Sequence, residues 1–144
     1  MRQYNKAIDE FRKVLDQEPN YPRAHYHLAW ALIHKNIYED TIREMEKAIE
    51  FSEPSPDYIS SLSYAYALAG RKSDAREKLE ELKEQDKNSF VSSYWFAQAY
   101  LGLGNREKAM EYLQKSVKSH DYPALPISSS YIYMGTMAWG TIGC

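Results

Sequence analysis

Four segments of this chain carry the same three-residue apolar pattern, each 34 residues after the last. Ala7, Phe11 and Val14 are followed by Thr41, Met45 and Ala48, then by Ala75, Leu79 and Leu82, then by Ala109, Leu113 and Ser116. Steps of four and three place each trio on one face of a helix. A second set keeps the same period upstream: Leu28, Leu62 and Phe96; Ala29, Ser63 and Ala97; Leu32, Tyr66 and Tyr100. The turn between the two helices repeats as Asn36, Gly70 and Gly104. Seven positions thus hold one register without an insertion. A fixed period of this size predicts a stacked array of two-helix units, each burying its apolar face only against its neighbours.

The residues between the periodic stretches set the expected element order. Helices are expected over 4–17, 22–35, 39–51, 56–69, 72–86, 90–103 and 106–119. Pro19 and Pro22 break the first, and Pro22 suits the first turn of the second. Glu39 and Asp40 open the third, where the helix dipole favours acidic groups. Ser55 is a plausible N-cap ahead of Pro56, and Gly70 supplies the left-handed residue that helix C-termini prefer. The organisation read from this is a helical array over 1–121, comprising a half-unit at 1–21 and units at 22–55, 56–89 and 90–123, with a tail over 124–144. The first helix has the second-helix pattern with no partner before it. The expectation is a chain cut from a longer protein, with self-association through its open repeat ends.

The tail differs in character. Residues 122–144 contain no charged side chain and carry Pro123, Pro126 and three glycines. Three readings stay open: a helix over about 127–139 covering the end of the array, an irregular segment, or one that packs on a neighbouring molecule. The segment is too short and too interrupted to cross a bilayer.

With 144 residues and 44% hydrophobic content, the chain has enough to bury a core. A net charge of −2 without any basic field argues against nucleic acid as a partner. The single Cys144 excludes an internal disulfide and a cysteine-based metal site. The first residues lack the apolar run of a signal peptide, so a cytoplasmic location is the default expectation.

The period and residue types resemble the tetratricopeptide repeat, a helix–turn–helix unit of 34 residues. The departures are modest. The family's frequent Trp is His25, Ile59 and Ser93 here, its Gly is replaced by Ala or Ser, and its terminal Pro is kept only as Pro19. The resemblance covers about residues 3–121 and implies an all-α fold, a right-handed α-α superhelix of about seven antiparallel helices. The stretches at 24–31 and 92–104 also resemble repeat regions of multidomain bacterial regulators, found beside kinase, cyclase or winged-helix domains.

The resemblance further implies that the first helix of each unit lines a concave face. Carried onto this chain, the inner positions give Arg23, Tyr26, Trp30 and His34, then Asp57 and Tyr64, then Tyr94 and Gln98 as the expected partner-binding set. Tyr26, Trp30, Tyr64 and Tyr94 are not needed by the packing pattern, and rigid aromatics with a polar handle are favoured anchors at recognition surfaces. The alternative is that these rings fill the narrow groove themselves. Family members that grip a C-terminal carboxylate use basic and amide side chains at positions held here by Tyr26, Trp30, Ser61, Val91 and Trp95. None is basic, so an extended apolar or aromatic peptide, or a helix laid in the groove, fits better.

No cofactor, metal or catalytic residue is expected. His25 and His27 diverge around the helix, and His27 and His34 lie two turns or ~10 Å of rise apart, unlike an i, i+4 metal pair. Ser119-His120-Asp121 matches a triad only in composition. Glu77, Glu80, Glu81 and Glu84 alternate with Lys78 and Lys83 as a solvated helix face. The functional expectation is a protein-interaction scaffold binding a peptide or partner domain. The alternative is a self-assembly module joined through open ends and the apolar tail.

Overall fold

Residues 2–122 are described in the computed structural model, and the tail with its expected helix at 127–139 lies outside the described residues. Seven helices follow in order: α1 (Arg2–Gln17), α2 (Pro22–Ile33), α3 (Tyr38–Glu50), α4 (Pro56–Leu68), α5 (Lys72–Asn88), α6 (Ser93–Gly102) and α7 (Arg106–Ser119). Helices α2 and α3, α4 and α5, and α6 and α7 pack as antiparallel pairs. α1 lies on α2, α3 on α4, and α4 on α6. The fold is an all-α repeat superhelix.

Each pair turns by the same device. Asn36, Gly70 and Gly104 have φ of 60°, 80° and 79°, in the left-handed region. The next residue's amide bonds back across the turn: Ile37 to the Leu32 carbonyl at 3.1 Å, Arg71 to Tyr66 at 2.8 Å, Asn105 to Tyr100 at 3.0 Å. A second amide bond, from each left-handed residue to the carbonyl three before it, completes a Schellman cap. The 34-residue spacing of these turn residues is therefore a spacing of backbone geometry. His120 repeats the device after α7, with φ 52° and an Asp121 amide bond to the Ser116 carbonyl at 3.1 Å.

The packing positions are buried as the period requires. Leu28, Leu62, Phe96, Met45, Leu79 and Leu82 all lie in the core. Ser63, standing where the family carries Gly, is buried and donates to the Ala75 carbonyl at 2.8 Å, so its hydroxyl costs little. The trio on α1 is less covered: Val14 is 39% exposed, where its counterparts Ala48 and Leu82 are fully buried.

At α6 the start, and at α4 the cap, differ from expectation. α6 starts at Ser93, because Ser92 caps it by accepting the Tyr94 amide at 3.2 Å and Asp86 accepts the Val91 amide at 3.1 Å. Phe90 is left outside the helix and 77% exposed. Ser55 occupies the N-cap position of α4, but its hydroxyl turns to Asp57 Oδ1 at 2.5 Å and caps no amide. The charged face of α5 is as expected, with Lys78–Glu81 and Lys83–Glu80 pairs at 2.8 and 2.7 Å.

Candidate functional site

The inner positions of α2, α4 and α6 are brought side by side, but their side chains meet unequal fates. Arg23 is exposed, and Tyr26, Trp30, His34 and Asp57 are half-buried. Tyr64, Tyr94 and Gln98 are buried.

Between α2 and α4 the contact is made by rings. Tyr26 lies against Tyr58 with centroids 4.8 Å apart, and Trp30 stacks on Tyr64 at 5.9 Å and 26°. Tyr26 meets Trp30 edge-on at 6.4 Å. These geometries suit the ring quadrupole, which disfavours a face-to-face sandwich. The Tyr26 hydroxyl reaches Ser61 Oγ at 3.3 Å, and Ser61 Oγ also accepts from Gln98 Nε2 at 2.9 Å. A continuous line of contacts thus runs from α2 through α4 to α6.

Between α4 and α6 the contact is close and made by small groups. Ser60 Oγ donates to the Trp95 carbonyl at 2.6 Å, and Gln98 is only 2% exposed. A Cβ on Gly102 would sit 2.9 Å from Tyr64 Cδ2 and 3.1 Å from Tyr64 Cα, so only glycine permits this approach. Tyr94 meets Trp95 in an edge contact at 5.0 Å.

His34 and His27 form the junction with α1. His34 stacks on Tyr4 at 4.4 Å, and His27 on Phe11 at 5.7 Å. Burial lowers the pKa of both, and the Arg23 charge adds to the effect at His27. Burial, helped by Asp57, raises the pKa of the Tyr58 phenol, which therefore stays neutral. His25 directs Nδ1 to Glu44 Oε2 at 2.6 Å and Nε2 to the Pro19 carbonyl at 2.7 Å, which leaves neither nitrogen for a metal. Among the described residues, no group of three or more His, Cys, Asp or Glu is arranged to hold a metal ion. No described helix is long and apolar enough to cross a membrane.

Tyr58 and Ser61 stand outside the expected binding set, yet one ring and one hydroxyl join it together. Tyr58 follows the inner position Asp57 by one residue, and Ser61 stands at one of the positions that grip a carboxylate in other family members. The arrangement offers aromatic faces, a few hydroxyls and one exposed guanidinium. It is chemistry for non-covalent recognition.

Models of the tetratricopeptide repeat match residues 1–60 and 92–119. No curated protein matches the chain. Two crystal structures of MamA are similar in fold. One has a TM-score of 0.59 at 24% identity and spans 83% of this chain and 72% of that one. The other has a TM-score of 0.56 at 22% identity, spanning 87% and 70%. With seven helices in register, a left-handed turn every 34 residues and both repeat matches, the chain belongs to the tetratricopeptide repeat family, whose stacked helices serve as scaffolds for protein interaction.

Proposed function

We propose that the chain captures a peptide or partner domain non-covalently on its concave side, through the aromatic seam between α2 and α4. The observation that carries this reading is the half-exposure of Tyr26 and Trp30 above fixed supports, Tyr58, Tyr64 and Ser61. Rings already held in place lose little entropy on binding, and buried Trp and Tyr anchors dominate most interfaces. Arg23, exposed one turn before Tyr26, supplies a charge at the rim, with Asp57 across from it and His34 at the other end of α2. Tyr64, Tyr94 and Gln98 belong to the site as its supports. The ligand is an extended or helical segment rich in apolar and aromatic groups.

Capture from the source cell's lysate tests this reading. The parent chain is compared with a Tyr26→Ala, Trp30→Ala double variant after both show equal helicity. A protein held by the parent and released by the variant supports the seam as the site. Equal retention contradicts it.

Self-assembly is a second reading, favoured by the far end of the array. There Phe90, Val117 and Tyr122 are 77%, 63% and 51% exposed, and the Ser92–Asp121 hydrogen bonds bring the segments carrying Phe90 and Tyr122 together. Its mark is a molar mass that rises with concentration and falls back in a Phe90→Ser, Val117→Ser variant.

A further inference from the structure

We propose that the ligand of the α2–α4 seam is a proline-rich segment in the polyproline II conformation, flanked by an acidic residue that meets Arg23. This rests on the seam reading above and names the class of partner the seam takes.

The polar groups of the seam carry the argument. Trp30 is half-buried, and its indole N–H, a group that only donates, has no acceptor among the described residues. Tyr58 is 7% exposed, and its hydroxyl likewise has no partner among them. Arg23 is exposed, with no carboxylate of the described residues within ion-pair distance. Its charge and that of Asp57 both act on the Tyr58 phenol, which places the three at one rim. The acceptors are already engaged: Ser61 Oγ by Tyr26 and Gln98, and Asp57 Oδ1 by Ser55. What the seam has left to offer is chiefly donors. Its ligand must bring carbonyls and few N–H groups, and proline keeps its carbonyl while lacking the N–H.

The backbone of the ligand is constrained in the same way. The inner layer consists of the helices α2, α4 and α6, so a β-strand finds no ladder to join and leaves its amides unpaired. A helical ligand bonds its carbonyls within itself and leaves the buried Tyr58 hydroxyl unmet, which is costly. Polyproline II has no internal hydrogen bonds, and its carbonyls stay available.

The rings agree in spacing. Tyr26 and Trp30 stand 6.4 Å apart with planes at 75°, backed by Tyr58 and Tyr64. Residues two apart in polyproline II advance about 6 Å and point to different sides of the axis, so successive pyrrolidine rings meet successive aromatic ones. Such a ligand is stiff before it binds, as the seam is, and little ordering remains to be done. The flanking acid follows from Arg23, whose fork accepts a carboxylate bidentately.

The probe is an oligoproline of about ten residues, with Glu at each end and blocked termini, titrated into the intact, isotope-enriched chain. The Trp30 indole N–H signal should shift, with a Kd at least about tenfold below that of the same peptide carrying alanine for proline. Trp30→Phe keeps a ring and removes the donor, and should weaken binding about fivefold. Exchanging Glu for Lys in the peptide should weaken binding to the parent but not to Arg23→Ala. All variants must first match the parent in helicity. No binding of the oligoproline, a shift at Trp95 instead of Trp30, or equal or tighter binding of the alanine peptide overturns the proposal. The seam reading fails separately. If the oligoproline fails while lysate capture still depends on Tyr26 and Trp30, only the ligand class falls; if capture is also independent of those rings, the seam falls with it.

Discussion

The two seams between successive inner helices are built from the same repeat and are not alike. α4 and α6 approach closely over Gly102, Ser60 and Ser61, with Gln98 buried across the join. α2 and α4 stand further apart, and four rings, Tyr26, Trp30, Tyr58 and Tyr64, fill the space. The repeat pattern governs packing inside each pair, while residues it does not constrain set the distance between pairs. A seam closed by backbone proximity and buried hydrogen bonds has no room for a ligand. A seam closed by half-exposed rings has a surface to offer.

Substitutions that break the closed seam should cost most. Gln98→Ala removes a buried amide, leaves a void and strips Ser61 of its donor, a loss of about 2–3 kcal/mol in chemical denaturation. Gly102→Ala drives a methyl against the Tyr64 backbone and should cost about 1–3 kcal/mol, despite alanine's better helix propensity. Trp30→Ala on the open seam removes a half-buried ring, so about 1–2 kcal/mol is expected, below the 3–5 of a full core truncation. A Trp30 variant less stable than the Gln98 variant would reverse the assignment of the seams.

A smaller effect sharpens the comparison at a third junction, α1 on α2. His27 and His34 have lowered pKa values in the fold, so the unfolded chain takes up protons more readily as pH falls. Their contribution is complete above the ordinary imidazole range and is lost as pH drops through roughly 6.5 toward the lowered values. Amides of α1 should exchange faster at pH 5 than at pH 7.5, relative to those of α6, and a His27→Gln, His34→Gln variant should flatten that difference. The smallest effect concerns the turns. Gly70→Ala should lose about 1 kcal/mol, since a Cβ is disfavoured at φ 80°, whereas Asn36→Gly should change stability by only a few tenths.

Most of the fold is legible in the sequence because packing and turn positions recur: Leu28, Leu62 and Phe96 face the same kind of neighbour, and Asn36, Gly70 and Gly104 take the same backbone conformation. The inner face is less so. Trp30, Tyr64 and Gln98 occupy equivalent places in the period, yet Trp30 is half-buried and the other two are buried. Tyr64 lies where α6 comes close over Gly102, and Gln98 reaches back to Ser61 on α4, contacts made by residues tens of positions away in sequence. Periodicity locates the inner face and does not apportion it between support and contact.

The most direct measurement is the affinity of the captured partner for three proteins: the parent, Trp30→Ala, and Tyr38→Ala on α3. Each must first show the same helicity and remain folded at the assay temperature. A site on the α2–α4 seam predicts at least a tenfold weaker Kd for Trp30→Ala, about 1.4 kcal/mol, and a change within twofold for Tyr38→Ala. Equal affinity for the parent and Trp30→Ala would contradict the account.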